Sequence, residues 1–370
     1  MGKIKVLHII KSLGRGGAEM LLPETLKLHD HGNFEFHYIY FLPWKNQMVS
    51  VIEDNHGTVM CYSAKNNIEM MLKMNNVIEY CKKEQINIIH SHLPWSGFLA
   101  RSVFAKAGIP VIYTEHNIQE RYHIATRLLN KFTFNSQSLA LGVSKDVSDS
   151  IAKNIKPRIP VKTLLNGVNT ENFIKNADFG KKIKIEFNIP ENATVIGNIA
   201  VFRKQKNLDL WIEAFSIIAK NYEVYGLLVG AGPEEQFLKQ KIERLGLENR
   251  ILLPGLQTDT IAYFSAMDIF MMSSNFEGLP IALLEAMSME CAIVATAAGG
   301  VREVVTKDSE GLLSKVNDAE TLARNVSILI DDEIKLIELQ KNARLRVQNS
   351  FSLQTMVESL EVCYKEYAEV

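Results

Sequence analysis

Short, largely apolar runs alternate along this chain with longer segments in which apolar positions recur every three or four residues. The runs at 3–10, 36–42, 86–90, 111–114, 139–143 and 161–165 read as buried strands, and the segments at 68–83, 97–107 and 119–135 as helices. After a break the pattern starts again. Strands are expected at 194–201, 225–229, 251–253, 269–272 and 291–295, and helices at 208–220, 281–289 and 353–367. Such alternation implies doubly wound parallel sheets, whose ligands bind beyond the carboxyl ends of the strands.

Length and turn residues divide the pattern in two. A chain of 370 residues suits two domains of ordinary size. Between the halves lie Asn166-Gly167, the lysines Lys181, Lys182 and Lys184, and the flanking Pro160 and Pro190, with no sustained core pattern. The expected domains are 1–172 and 173–350, with a last segment, 351–370, after them.

Composition narrows the class. Hydrophobic content of 47% with 22% charged residues describes a soluble globular protein able to bury real cores. No run of eighteen apolar residues occurs, so a membrane-crossing helix is not expected. The N-terminal apolar run passes into glycines and charge without a cleavage-site pattern and reads as a first strand. Cys61, Cys81, Cys291 and Cys363 show no paired spacing, which argues against a zinc site or disulfide framework and fits a reducing cytoplasm. Charge is uneven: residues 1–170 hold 20 Lys+Arg against 13 Asp+Glu, a net of +7, while the remainder nets −8. A basic half is suited to anionic lipid or a phosphorylated acceptor, although ordinary surface drift gives the same picture.

Candidate chemistry concentrates in residues 268–300. An apolar strand leads through Ser273, Ser274 and Asn275 to Glu277-Gly278-Leu279-Pro280, then to an apolar helix interrupted by one carboxylate, Glu285. The backbone N–H groups after Glu277 stand at a helix N-terminus, which attracts anions. A buried carboxylate needs hydrogen-bond donors, and sugar hydroxyls are suitable ones. A phosphate held on amides with carboxylates on either side describes a nucleotide-sugar site; a helix-terminal charge and a satisfied core acid are the plainer reading. Gly16 and Gly17, and again Gly230 and Gly232, form glycine turns between strand and helix, without the G-x-G-x-x-G spacing of a dinucleotide fold. Arg203, Lys204 and Lys206 follow a strand and are well placed to neutralise a diphosphate, although composition alone favours a solvated basic turn. His90, His92 and His116 stand at strand ends; with no clustered third ligand apparent, metal is not expected.

The stretch from Asp268 to Gly300 resembles the signature of retaining glycosyltransferases of family four, in which two glutamates are separated by seven residues. GGAE at 16–19, NGVN at 166–169, Lys206-Asn207 and the Gly299-Gly300 turn fall in the same order as that family's motifs. The resemblance implies an α/β GT-B architecture: two Rossmann-like parallel-sheet domains facing across a cleft, the last helix crossing back to the first. It implies that Glu277 and His116 contact the donor sugar, Glu285 the ribose, and Lys206 with Arg203 the diphosphate. Gly16, Gly17, Gly230, Gly232, Gly278, Leu279 and Pro280 would shape the donor pocket. The arginine departs from its commonest position, which is Val201 here, and Glu290 and Ala292 replace a usual glycine and proline. A glutamate in a left-handed helix cap is strained.

The implied activity is transfer of a sugar from a nucleotide diphosphate donor, UDP-linked by family habit, to an acceptor hydroxyl with retention. No metal or other cofactor is expected, and no nucleic acid. The acceptor would be a glycan or a lipid-linked glycan in surface polysaccharide assembly, at a cytoplasmic location. Peripheral membrane contact is open through 119–135, where Arg121, Arg127 and Lys131 accompany Tyr122, Leu128, Leu129, Phe132 and Phe134, although an amphipathic helix of this kind is more often packed on its own sheet. A sugar-nucleotide 2-epimerase, a phosphorylase and a non-catalytic sugar-nucleotide-binding subunit are the alternatives.

Overall fold

The computed structural model describes residues 2–306 and 308–368. The chain forms two compact units, Met1–Asn166 with Leu353–Val370, and Gly167–Ser352. The division falls between Asn166 and Gly167 and again between Ser352 and Leu353.

The first unit carries seven strands: β1 (Ile4–Ile9), β2 (Phe34–Tyr40), β3 (Thr58–Cys61), β4 (Ile88–His92), β5 (Val111–Glu115), β6 (Leu139–Gly142) and β7 (Val161–Thr163). They pair in parallel in the order β3-β2-β1-β4-β5-β6-β7. Alternate residues feed two cores, as the pleat requires. Val6, Ile88 and Ile112 face the helices Gly17–Leu26 and Leu353–Ala368, while Leu7, Ile9 and Ile89 pack with Leu99 and Val103 of the helix Pro94–Ala107.

The C-terminal helix is fixed by more than apolar packing. Tyr364 is fully buried, and its hydroxyl is hydrogen-bonded to Nδ1 of His90 at 2.7 Å. The Glu361 carboxylate accepts from the Asp30 N–H at 2.8 Å and lies 2.9 Å from Nδ1 of His29.

The second unit repeats the plan with β8 (Thr194–Ile199), β9 (Val224–Val229), β10 (Ile251–Gly255), β11 (Ile269–Met272), β12 (Ala292–Thr296) and β13 (Gly311–Ser314), all parallel in the order β10-β9-β8-β11-β12-β13. Trp211 fills its core, stacked on Phe215, and its indole N–H donates to the Met271 carbonyl at 2.9 Å. Strand order reverses between β1 and β4 in one unit and between β8 and β11 in the other. At such a switch point the loops from neighbouring strands part and leave a crevice.

Two edge strands were not expected from the pattern. β3 is four residues long, none of them fully buried, and its apolar run is only Val59-Met60-Cys61. β13 opens on Gly311 and is only four residues long. The expected helix at 68–83 is two helices, Asn67–Leu72 and Met74–Glu84, broken at Lys73.

Replacing Tyr364 by Phe keeps the ring and leaves His90 Nδ1 buried without its hydroxyl partner. Urea unfolding of Tyr364→Phe is expected to show a loss of about 1–3 kcal/mol, the penalty for one unsatisfied buried group.

Candidate functional site

The loops leaving β8 and β11 run side by side at the switch point of the second unit and are tied together residue by residue. The Asn275 N–H donates to the Gln205 carbonyl at 2.8 Å, and Gln205 Nε2 donates to the Phe276 carbonyl at 3.0 Å. Ser273 Oγ donates to the carbonyls of Lys206 and Asn207 at 3.0 and 2.9 Å. Asn207 itself takes a left-handed conformation (φ 47°, ψ 46°) where the chain turns into the helix Leu208–Ile218.

These loops meet on Glu277, whose side chain is 6% exposed. One carboxylate oxygen, Oε1, accepts from Lys206 Nζ at 2.7 Å and from Ser274 Oγ at 2.6 Å. Gln205 Nε2 reaches the other oxygen at 3.4 Å. The turn after β12 closes on the same residue. Gly299 has φ +55°, and a Cβ on it would stand 2.1 Å from the Glu277 carbonyl oxygen. Thr296 Oγ1 donates to the Ser274 carbonyl at 2.7 Å. Three loops therefore share one buried acid.

Glu285 is half-buried on the helix Ile281–Ser288. Gly278, Leu279 and Pro280 are buried. Pro280 caps this helix in extended conformation (φ −75°, ψ 118°) instead of occupying its first turn, and no side chain caps the first N–H groups. The helix ends as the sequence left it: Glu290 adopts φ 56°, the left-handed cap usual for glycine, with its carboxylate 3.5 Å from Arg344.

Arg203 is exposed and forms no ion pair or hydrogen bond with Glu277. It lines a cavity of about 240 Å³ with Lys204, Glu234 and Phe237. Gly230 and Gly232 have a packing reason to be glycine. A Cβ on Gly230 would lie 1.9 Å from the Ala200 carbonyl oxygen, and one on Gly232 would lie 2.4 Å from that of Phe202. They seat the loop that carries Lys206.

In the first unit Gly16 precedes the helix Gly17–Leu26 with φ −99°, a value open to any residue, and Glu19 turns back to accept from Ser12 Oγ at 3.0 Å. His116 follows β5. Its backbone N–H and that of Asn117 donate to Glu115 Oε1 at 3.0 and 3.3 Å. Glu115 is fully buried and also accepts from Tyr113 and Gln119, both at 2.7 Å, and from Tyr122. Burial raises its carboxyl pKa, and the hydrogen bonds from Tyr122, Tyr113 and Gln119 pull it back. His116 keeps partial exposure, but its Nε2 is buried without a partner, and burial pushes the imidazole down to about 4.

A third histidine joins His90 and His92, contrary to the reading that no such neighbour exists. It is His8, which lies beside His90 in the ladder pairing β1 with β4. The sequence signal was its position in the first strand, far from the pair. His8 Nδ1 and His92 Nε2 are 3.0 Å apart in rings inclined by 11°, and His90 bonds Tyr364 and Thr114 through its two nitrogens. Four of the six nitrogens thus bond one another or nearby hydroxyls, while His8 Nε2 and His92 Nδ1 are buried without a partner. Burial lowers all three pKa values, to about 3 for His90.

Two family models match the chain: Glycosyltransferase Family 4 over residues 28–172 and Glycosyl transferases group 1 over residues 180–346. The chain is 26% identical to N-acetyl-alpha-D-glucosaminyl L-malate synthase of Bacillus anthracis, covering 94% of this chain and 93% of that one. It is 23% identical to the UDP-Gal:alpha-D-GlcNAc-diphosphoundecaprenol alpha-1,3-galactosyltransferase of Escherichia coli, covering 98% and 97%. Among solved structures, Anabaena HepE in complex with UDP-glucose superposes with a TM-score of 0.89 at 21% identity, over 98% of this chain and 100% of that one. The fold is GT-B.

Gly299→Ala forces both a strained φ and a clash with the Glu277 carbonyl. It is expected to lower the melting temperature by an amount equivalent to about 1–3 kcal/mol, measured by calorimetry. Acid should act on the histidines. Their folded pKa values lie below that of the unfolded chain, so the unfolded state binds more protons as pH falls. Their contribution is complete above about pH 6.5 and is lost progressively toward about 4 and 3, the values for His116 and His90. Urea midpoints are expected to change little from pH 7.5 to about 6.5 and to fall from there to about pH 5; a flat profile throughout would contradict neutral burial.

Proposed function

The chain belongs to the group 1 glycosyltransferases, and from that premise we propose that it transfers a sugar, with retention, from a UDP-sugar to an acceptor hydroxyl. The observation that carries this reading is the buried Glu277 carboxylate, held by Lys206 and Ser274 at the strand switch point. Departure of a nucleotide diphosphate builds negative charge. Lys206 Nζ, which already stands against a carboxylate, is the cation positioned to meet it, with the uncapped N–H groups after Pro280 beside it. Arg203 joins from the same loop by rotating its exposed side chain.

Glu277 then serves hydroxyls of the donor sugar, and Glu285, on the following helix, serves the ribose. His116 is neutral at pH 7 and takes part as a hydrogen-bonding partner, not as a cation. In this reading the attacking hydroxyl enters on the face that the diphosphate leaves, and the leaving phosphate takes its proton. The charge is met by side chains and amides, so the reading calls for no metal. The UDP assignment draws support from the UDP-Gal used by the E. coli relative and the UDP-glucose bound in the HepE complex, and a glycan or lipid-linked acceptor from the former.

The test is a melting-temperature panel with UDP, GDP, ADP and dTDP, followed by transfer assays on the sugar of the base that stabilises. UDP is expected to stabilise the wild type and to stabilise Glu285→Ala less. Glu277→Gln is expected to keep nucleotide binding and lose about 10²–10³-fold in transfer rate. Full transfer by that variant would remove Glu277 from the mechanism, and no response to any nucleotide would favour a subunit that neither binds nor turns over a donor.

A further inference from the structure

The helix Ile124–Thr133 is built inside out. A surface helix ordinarily turns an apolar stripe to the core and polar residues to water. Here the one buried residue is Asn130, while Ile124, Leu128 and Phe132 are 67%, 49% and 82% exposed. Their spacing of four places them in one stripe along the helix. The cause lies beneath. Arg101, 1% exposed, donates from Nη1 to Asn130 Oδ1 at 2.9 Å and to Thr133 Oγ1 at 3.1 Å, and Asn130 Nδ2 donates to Gln119 Oε1 at 3.0 Å. The buried guanidinium claims the polar face of the helix, so the apolar face is left outward.

Charge beside the stripe has one sign. Arg127 and Lys131 are exposed on the same helix, and among the described residues neither has an ion-pair partner. The Arg158 N–H donates to Asn135 Oδ1 at 2.7 Å, bringing Lys156 and Arg158 to the end of the helix. No Asp or Glu occurs from 121 to 145, and the nearest acid, Glu120, is occupied by Ser150 and Asn154.

We propose that this helix docks the chain on the surface of an anionic lipid bilayer, lying in the interface with Ile124, Leu128 and Phe132 among the acyl chains. An interfacial helix needs an apolar face flanked by cations, and anionic headgroups supply the counter-charge. A second copy of this chain fits less well, since two such faces would bring Arg127 and Lys131 against their equivalents. No described helix is long and apolar enough to cross the bilayer, so the contact is peripheral. The inference is independent of the transfer reaction, because vesicle binding is measured without donor or acceptor.

The experiment is co-sedimentation of the full chain with vesicles of phosphatidylcholine alone and of phosphatidylcholine mixed with phosphatidylglycerol. Ile124→Ser/Leu128→Ser/Phe132→Ser and Arg127→Glu/Lys131→Glu are the variants, and light scattering gives the mass in solution. The wild type is expected to favour the anionic vesicles by about tenfold or more, an increment of 1.4 kcal/mol. Each variant should lose that preference with an unchanged melting temperature, since the altered side chains are exposed. Equal binding to both vesicles, or undiminished binding by the triple variant, overturns the proposal. So does a dimer in solution that the triple variant dissociates, which would give the stripe to a second copy.

Discussion

A carboxylate that is almost completely shielded from water must be answered by donors, and in the second unit that demand organises everything around Glu277. Lys206 comes from the loop after β8, Ser274 from the loop after β11, and Gly299 from the turn after β12. None of these loops could relax alone. Moving the first would strand the acid, and moving the third would drive backbone into the Glu277 carbonyl. The glycines at 230 and 232 extend the constraint one layer outward, because only a residue without Cβ lets their turn press on Ala200 and Phe202. The site is therefore set before any ligand arrives, which is what electrostatic stabilisation of a developing charge requires.

The first unit meets the same demand with neutral groups. Glu115 is surrounded by tyrosine hydroxyls, a glutamine amide and two backbone N–H groups, and the histidines at the strand ends are held neutral by burial. One consequence is positional, since the two backbone donors belong to His116 and Asn117, fixing the turn on which His116 sits. The other runs through Gln119 to Asn130 and Arg101, the same polar knot that turns the helix Ile124–Thr133 outward. Orientation of a surface helix and placement of a site loop thus rest on one buried network.

Much of the architecture was legible because strands buried on both faces leave runs without Lys, Arg, Asp or Glu, as at 6–10, 111–114 and 269–272. β3 and β13 are short edge strands whose apolar runs, Val59-Met60-Cys61 and Leu312-Leu313, are too brief to stand out. The signature around Glu277 was legible as local sequence, but its ion pair with Lys206 was not, since 71 residues separate the two. His8 was missed for the same reason: it meets His90 across a ladder, and only register brings them together. The amphipathic segment at 119–135 was visible as a pattern, yet periodicity does not say which face is inward. That choice belongs to Arg101, a residue on another helix.

The two ways of satisfying a buried acid differ in what they permit. Glu115 has neutral donors fixed by packing, so an arriving anion gains little by competing for them. Glu277 holds a cation on a flexible stem that is 25% exposed, and a lysine ammonium has three donors to distribute. On the proposed reading a diphosphate can share Lys206 with Glu277 without expelling it, and the carboxylate, relieved of part of that bond, is freed to accept from sugar hydroxyls. A donor bearing both phosphate and hydroxyls satisfies both partners at once. A phosphate alone would leave Glu277 short of donors, and a free sugar would leave Lys206 where it already is. On that reading, selectivity for the joined molecule follows from the buried pair itself.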